Sequence, residues 1–408
     1  MKKQPMIKRK ILMITPYIPR LYQSGGQNSS YYSIKYLSPY NEITLICFSR
    51  DEEGLIEIQK YCQKVIVVKR GKTWNLKNIM LAGFSQYPFL VINYISADLA
   101  NAIREELTNN RFDLIHCDSF YPIPNIPPTQ IPIVLVDLTI EYLVYQHYVA
   151  SLRGWRKIIA PLLWIDVLKL KYWEIHYWKT IHTVVAFAWE DQKLIAKTTG
   201  RSDIELFQNG VDKSFYLSTP KVPKSPTPAL LFGFSNMKWM QNRESVDLIL
   251  DHVWPQIIKA IPKCRLYIIG RYAKDFYEHL NSRHIIVDEA DIDGGKFDRF
   301  YYLYHCWALV APMGSGGGTR NKFLEAMACG LPIITTPEGM GGIKIKNNVH
   351  SIVCSLPEVA AETIKLLKNK KRMTQIGKNA RNLITANFAY EKCVLDLNNL
   401  YEKITSQN

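Results

Sequence analysis

Short runs of apolar, often β-branched residues alternate with helical periods along the whole chain. In the first half the runs are KILMITP, EITLICF, KVIVVK, FDLIH and IPIVLVD, followed by HTVVAFA and DIELFQN. Each is nearly continuous in apolar character. That predicts strands buried on both faces of a parallel sheet rather than half-exposed strands of alternating polarity. The intervening segments are long enough for crossover helices. From Lys213 to Pro228 the composition changes: Pro220, Pro223, Pro226 and Pro228 lie among Ser, Thr and Lys, which predicts a linker. The pattern then restarts with ALLFGF, CRLYIIG, HIIVD, WALVAP, LPIITT and SIVC as strands. The expectation is an α/β chain of two doubly wound units, residues 1–212 and 229–385, joined by the 213–228 linker. Residues 386–408 read as a terminal helix that crosses back to the first unit.

Composition supports two cores. The chain has 408 residues, 47% of them apolar and 21% charged, which excludes a mainly disordered protein. The net charge of +15 favours an anionic partner: a phosphorylated small molecule, an acidic membrane surface or nucleic acid. The eight cysteines are scattered, mostly in apolar strings and without metal-ligand spacing, so reduced thiols and a cytoplasmic location are expected. The start, MKKQPMIKRKILMITPYIP, imitates a signal peptide, but its apolar run is short and broken by Pro16 and Pro19. It reads as a basic tail feeding a buried first strand. No run is long enough to span a bilayer. Residues 151–180 hold four Trp and many Lys and Arg. Their aromatics are not confined to one face, which favours a core helix pair over a helix lying in a lipid interface.

Candidate chemistry concentrates at 311–343. The strand WALVAP ends in Gly314, Gly316, Gly317 and Gly318, and a helix is expected to begin near Thr319. Glycines let backbone amides approach an anion closely, and a helix N-terminus adds partial positive charge. Arg320 and Lys322 add two full charges beside that loop, which makes a phosphate cradle without the GxxxxGK[ST] pattern. Glu325 is placed to accept from a ribose diol. Gly339, Gly341 and Gly342 follow the next strand and offer further amides. In the first unit Gly25 and Gly26 lie between the first strand and a helix that Asn28 or Ser29 could cap. His116 follows a strand and is a candidate to orient a hydroxyl. Asp137 and Glu141, four apart, form either a carboxylate pair or a solvated helix cap.

These segments resemble the GT-B glycosyltransferases, and are most similar to the retaining, glycogen-synthase-like group 1 enzymes (family 4). The matching strings are QNGVD at 208–212, GFSNMKWMQN at 233–242, LYIIG at 266–270, GSGGGTRNKFLEAMACGLPIITT at 314–336 and EGMGGI at 338–343. The first unit matches more loosely, through ITPYIP with Gly25 and Gly26, FDLIHCDSF at 112–120 and DLTIE at 137–141. The family's Glu–seven residues–Glu hallmark places its second Glu on Glu325 and its first on Gly317, a departure that puts the role of the first carboxylate in doubt. The family's early basic pair is not in its customary form either, although Lys238 lies nearby.

The resemblance implies two Rossmann-like domains facing across a cleft. It also implies retaining transfer of a sugar from a nucleotide-diphosphate sugar to an acceptor hydroxyl, in cell-surface polysaccharide or glycolipid synthesis. Arg320, Lys322 and His116 are the expected catalytic residues. Gly25, Gly26, Gly316, Gly317, Gly318, Thr319, Glu325, Gly339 and Gly342 are the expected donor-binding residues. No cofactor and no metal are expected, and Asp291 and Asp293 in DEADIDGG read as loop. The partners are the donor and a saccharide or lipid-linked acceptor, with an anionic membrane face at the cytoplasmic side, and nucleic acid disfavoured. The alternatives left open are a non-catalytic partner subunit, a nucleotide-sugar epimerase and a polynucleotide glucosyltransferase.

Overall fold

The computed structural model describes residues 8–406, apart from 22–23, 52, 74, 153, 218–221, 290–295 and 315–319. Every apolar run named above forms a strand. The first sheet contains β1 (Arg9–Thr15), β2 (Asn41–Ser49), β3 (Lys64–Lys69), β4 (Leu114–Asp118), β5 (Ile133–Asp137), β6 (Thr183–Ala186) and β7 (Glu205–Leu206). Its seven strands are parallel, in the order β3-β2-β1-β4-β5-β6-β7. The second sheet contains β8 (Ala229–Gly233), β9 (Arg265–Ile269), β10 (Ile285–Asp288), β11 (Ala308–Ala311), β12 (Ile333–Thr335) and β13 (Ile352–Val353). Its order, β10-β9-β8-β11-β12-β13, repeats that of the first, again all parallel. Both are doubly wound sheets whose order reverses once, between β1 and β4 and between β8 and β11. Ligands of such sheets bind beyond the strand carboxyl ends at that reversal. The central strands are buried on both faces, as continuous apolar runs require: Ile11–Ile14 and Ala308–Ala311 are wholly enclosed, whereas the outer strands β3, β7 and β10 are half-buried.

The helices that position functional side chains are α1 (Gly25–Leu37), α2 (Leu76–Phe84), α3 (Glu141–Ala150), α4 (Ala160–Thr180), α5 (Met240–Leu248), α6 (Lys296–His305), α7 (Asn321–Ala328), α8 (Lys370–Asn387) and α9 (Tyr390–Thr405). The chain divides into two compact units. One holds the chain up to Leu21, Gly26–Phe207 and everything from Val394 on; the other holds Gln208–Cys393 with the short stretch before Gly26. The final helix begins at Tyr390, since residues 386–387 still belong to α8. Within the first unit Asn398 Oδ1 accepts from Arg9 Nη2 at 2.6 Å and from Asn41 Nδ2 at 2.9 Å. The expected linker is not free chain: Ser214–Leu217 is helical. Ser225 N donates to the His305 carbonyl at 2.9 Å, and Lys224 Nζ to that of Cys306 at 2.6 Å, so this stretch lies against the second unit. All eight cysteines are free thiols.

Two local features depart from or extend the sequence pattern. The core-helix expectation for 151–180 is only half right. Val167, Leu170, Tyr177 and Trp178 of α4 face the core, whereas Leu162, Ile165, Leu168 and Tyr172 point to solvent. The core face is paid out of one stripe of the helix, and the aromatics that blurred the pattern sit on both. In the second unit α7 ends in a Schellman motif: Leu331 N donates to the Ala326 carbonyl at 2.8 Å and Gly330 N to that of Met327 at 2.9 Å, with Gly330 at φ 72°. That turn lies against Gly377 of α8, where a Cβ would come within 2.1 Å of the Gly330 carbonyl oxygen. Gly377→Ala should therefore destabilise the protein by about 1–3 kcal/mol, measurable by denaturant titration. An unchanged midpoint would show that α8 shifts freely.

Candidate functional site

The side chains of interest in the second unit gather where β8 and β11 end. The helix expected near Thr319 starts at Asn321, and Arg320 is its N-cap residue, with no capping side-chain bond and no acid in the first turn. Gly316, Gly317, Gly318 and Thr319, and likewise Asp291 and Asp293, lie outside the described residues. Lys322 is 7% exposed. Its Nζ donates to Ser235 Oγ at 3.1 Å and Asn242 Oδ1 at 3.3 Å, and lies 4.5 Å from the centroid of the Phe232 ring. Among the described residues no carboxylate pairs with it. Burial pushes its ammonium well below the usual lysine value, and Arg320 adds to the effect. Burial also lowers the Arg320 guanidinium to about 10. Two neighbouring cations are thus held with little water around them, at the start of a helix whose dipole is also positive there. The site attracts an anion.

Glu325, one turn on, is buried and its Oε2 lies 3.0 Å from Arg299 Nε of α6. Burial raises its carboxyl, with Arg299 opposing the rise. The Arg299 guanidinium sits 4.6 Å from the centroid of the Phe234 ring. Phe234, directly after β8, has φ 60°. A bulky residue in the left-handed region carries strain of about 1–3 kcal/mol. The Glu325–Arg299–Phe234 sequence of contacts ties α7 and α6 to that strained turn. Lys238 is exposed, with its Nζ 3.5 Å from the Tyr272 ring centroid, away from the Lys322 bonds. The loops after β11 and β12 are strapped together: Thr336 Oγ1 accepts from Met313 N at 2.9 Å and donates to the Met313 carbonyl at 2.7 Å. Gly339 is confined as well, since a Cβ there would lie 2.0 Å from Thr335 Oγ1. Gly342 has φ 79°, a conformation that favours glycine. Gly314 leaves room for Glu244, whose Oε1 would lie 2.5 Å from a Cβ at 314.

Helix α1 begins at Gly25, so Asn28 and Ser29 lie inside the helix and do not cap it. Gly26 is required by close approach, because a Cβ would lie 2.5 Å from the Tyr17 hydroxyl. His116 is enclosed within β4. Its Nε2 is 2.8 Å from Asp118 Oδ1, and its Nδ1 meets the hydroxyl of Tyr401 on α9. Asp118 in turn accepts from Ser30 of α1. Both imidazole nitrogens therefore have partners within the first unit, Asp118 and Tyr401. Asp137 and Glu141 are not a solvated cap. Asp137 is buried and accepts from Trp178 Nε1 at 2.6 Å. The cap of α3 comes from Glu174 of α4, fully enclosed, whose two oxygens accept from Glu141 N at 2.8 Å and Tyr142 N at 3.0 Å. Sequence reading missed Ser235, Asn242, Arg299, Asp118 and Glu174. Ser235, Asn242 and Asp118 lie in strings it singled out; no local pattern marks Arg299 or Glu174.

Two predictions follow from these charges. Burial raises the carboxyl of Asp137 well above its ordinary range and that of Glu141 to about 7. The unfolded chain loses these protons near pH ~4 while the folded chain keeps them. Their contribution to stability is therefore fully present below that pH and is lost as pH rises toward 7. Thermal midpoints should fall over that window, and Asp137→Asn should flatten the fall; an unaltered slope would assign it to other groups. In the ligand-free protein Lys322→Met removes a buried cation held only by neutral acceptors. It should leave stability unchanged or raise it by about 1 kcal/mol, and a clear drop in midpoint would contradict the site's electrostatics.

Residues 229–369 match the family model for glycosyl transferases group 1. An uncharacterized glycosyltransferase of Methanocaldococcus jannaschii is 31% identical over 100 residues, which span 22% of this chain and 24% of that relative. The sucrose-phosphate synthase of Thermosynechococcus elongatus superposes with TM-score 0.70 at 14% identity, over 98% of this chain and 100% of that one. Anabaena HepE, solved in complex with UDP-glucose, superposes with TM-score 0.63 at 13% identity, over 97% and 99%. At such identities the superpositions establish the fold, and the family match covers the segment that holds Lys322 and Glu325. Residues 229–369 thus match the model for glycosyl transferases group 1, on a chain that shares the GT-B fold of these solved structures.

Proposed function

We propose that the protein transfers a sugar from a nucleotide-diphosphate sugar to an acceptor hydroxyl. We read the transfer as retaining and independent of a metal, and as a step in the synthesis of cell-surface polysaccharide or glycolipid at the inner face of a membrane. The observation that carries this reading is Lys322: a buried ammonium, bonded only to Ser235 and Asn242 among the described residues, next to Arg320 at an uncapped helix start. Such a site is stabilised by a dianionic group. The leaving nucleoside diphosphate is one, and its charge grows as the glycosidic bond breaks. Cations fixed in advance stabilise that charge without reorganising. The amides of Gly316, Gly317, Gly318 and Thr319 are proposed to complete the cradle, with those of Gly339 and Gly342 beside it. Glu325 is proposed to accept from the ribose, its carboxylate oriented by Arg299. Gly25 and Gly26, the first residues of α1, are proposed to offer backbone contacts to a donor. His116 acts indirectly, by fixing Asp118.

Steady-state kinetics with varied UDP-sugar donor tests these roles. Lys322→Ala should lower kcat by about 100-fold, because its interaction strengthens in the transition state. Glu325→Gln should mainly raise KM for the donor, by a loss of about 1.5–3 kcal/mol in a charge-assisted contact. If both variants keep kcat/KM within about twofold of wild type, this loop is not the donor site. If the wild-type chain neither turns over nor hydrolyses any donor, the reading as an enzyme fails.

A further inference from the structure

We infer that the first unit docks on an anionic lipid surface through the outward apolar stripe of α4 together with α2. This rests on the reading that the chain works at a membrane. On α4, Leu162, Ile165 and Leu168 are 69%, 53% and 64% exposed. With Ile158 before them and Tyr172 after, they recur at spacings of three and four, so they form one continuous stripe. The opposite stripe of the same helix is already used by the core. A helix apolar on both sides, with one side open to water, lacks an occupant on that side. On α2 the same holds: Leu76, Met80 and Phe84, four apart, are 73%, 54% and 90% exposed.

The two helices are tied to one another. Lys169 Nζ of α4 donates to the carbonyls of Ala82 and Ser85 at the end of α2, each at 2.8 Å, and Trp173 Nε1 donates to that of Gln86 at 2.9 Å. These bonds hold the C-terminal end of α2 against α4, so both exposed stripes belong to one neighbourhood of the first unit.

Charge selects the partner. Over 72–85 and 157–172 the sequence contains five lysines, Lys72, Lys77, Lys157, Lys169 and Lys171, and one acid, Asp166. Asp166 is turned inward, accepting from Phe89 N at 2.8 Å. Lys72, Lys77 and Lys157 are exposed. Apolar side chains flanked by lysines match an interfacial helix, whose apolar face enters the acyl boundary while its cations meet lipid phosphates. A second copy of the chain would set these lysines against their own counterparts, a repulsive arrangement in a self-complementary interface. Among the described residues no helix is long and apolar enough to cross a bilayer, so the surface contacts lipid from one side.

Cosedimentation of the full chain with phosphatidylcholine vesicles, with and without phosphatidylglycerol, tests this. Binding should be stronger to the vesicles containing phosphatidylglycerol and should weaken with salt. Ile165→Glu with Leu168→Glu should cut it at least about tenfold, since both apolar burial and charge balance are lost. Phe84→Glu, on the other helix, should cut it independently. The thermal shift produced by UDP should be the same in wild type and these variants, so a failure of docking is separable from a failure of the donor-site reading. Three outcomes overturn the inference: no pelleting with anionic vesicles, pelleting that the variants share, or a wild-type dimer in solution that the variants dissolve while vesicle binding is absent.

Discussion

The buried ammonium of Lys322 is the constraint around which the second unit is arranged. A cation enclosed by protein is costly unless its donors are satisfied, and here Ser235 and Asn242 supply only neutral acceptors. Ser235 comes directly after the strained Phe234 at the end of β8, and Asn242 from α5. Both therefore converge on the point where the sheet order reverses. Arg320 adds a second cation, and the Glu325 carboxylate is paired with Arg299. What remains is the Lys322 ammonium, held by neutral acceptors with no carboxylate partner among the described residues, an arrangement that favours an anion.

The first unit solves a different problem with buried carboxylates. Glu174 reaches from α4 to bond the first amides of α3, replacing a local cap that Ile140 cannot provide. Asp137 is held by Trp178 of the same helix. The inner face of α4 is thus committed to polar anchoring as well as to the core, and this fixes which side of it is left outward. Asp118, His116 and Tyr401 form a second buried polar series that secures the C-terminal helix to β4. A hydroxyl and an imidazole that are both enclosed hold that helix in one register, because slipping would strand their polar atoms.

Much of this chain was legible from its sequence alone. The strands of the described residues stood out as apolar runs, the central ones most plainly, because a strand buried on both faces needs apolar residues at every position and not merely at alternate ones. Arg320, Lys322 and Glu325 were equally visible as a short charged string, and the structure places them at the start of one helix. Tertiary structure decided the rest. Arg299, Ser235 and Asn242 reach the site from other elements, and proximity across a fold leaves no periodic trace. His116 looked like a strand-end side chain open to substrate; only the return of the terminal helix shows that Tyr401 closes over it. The stripe on α4 was hidden for the same reason. Its apolar residues ring the helix, and a pattern that is apolar all round cannot say which side meets the core until the core is built.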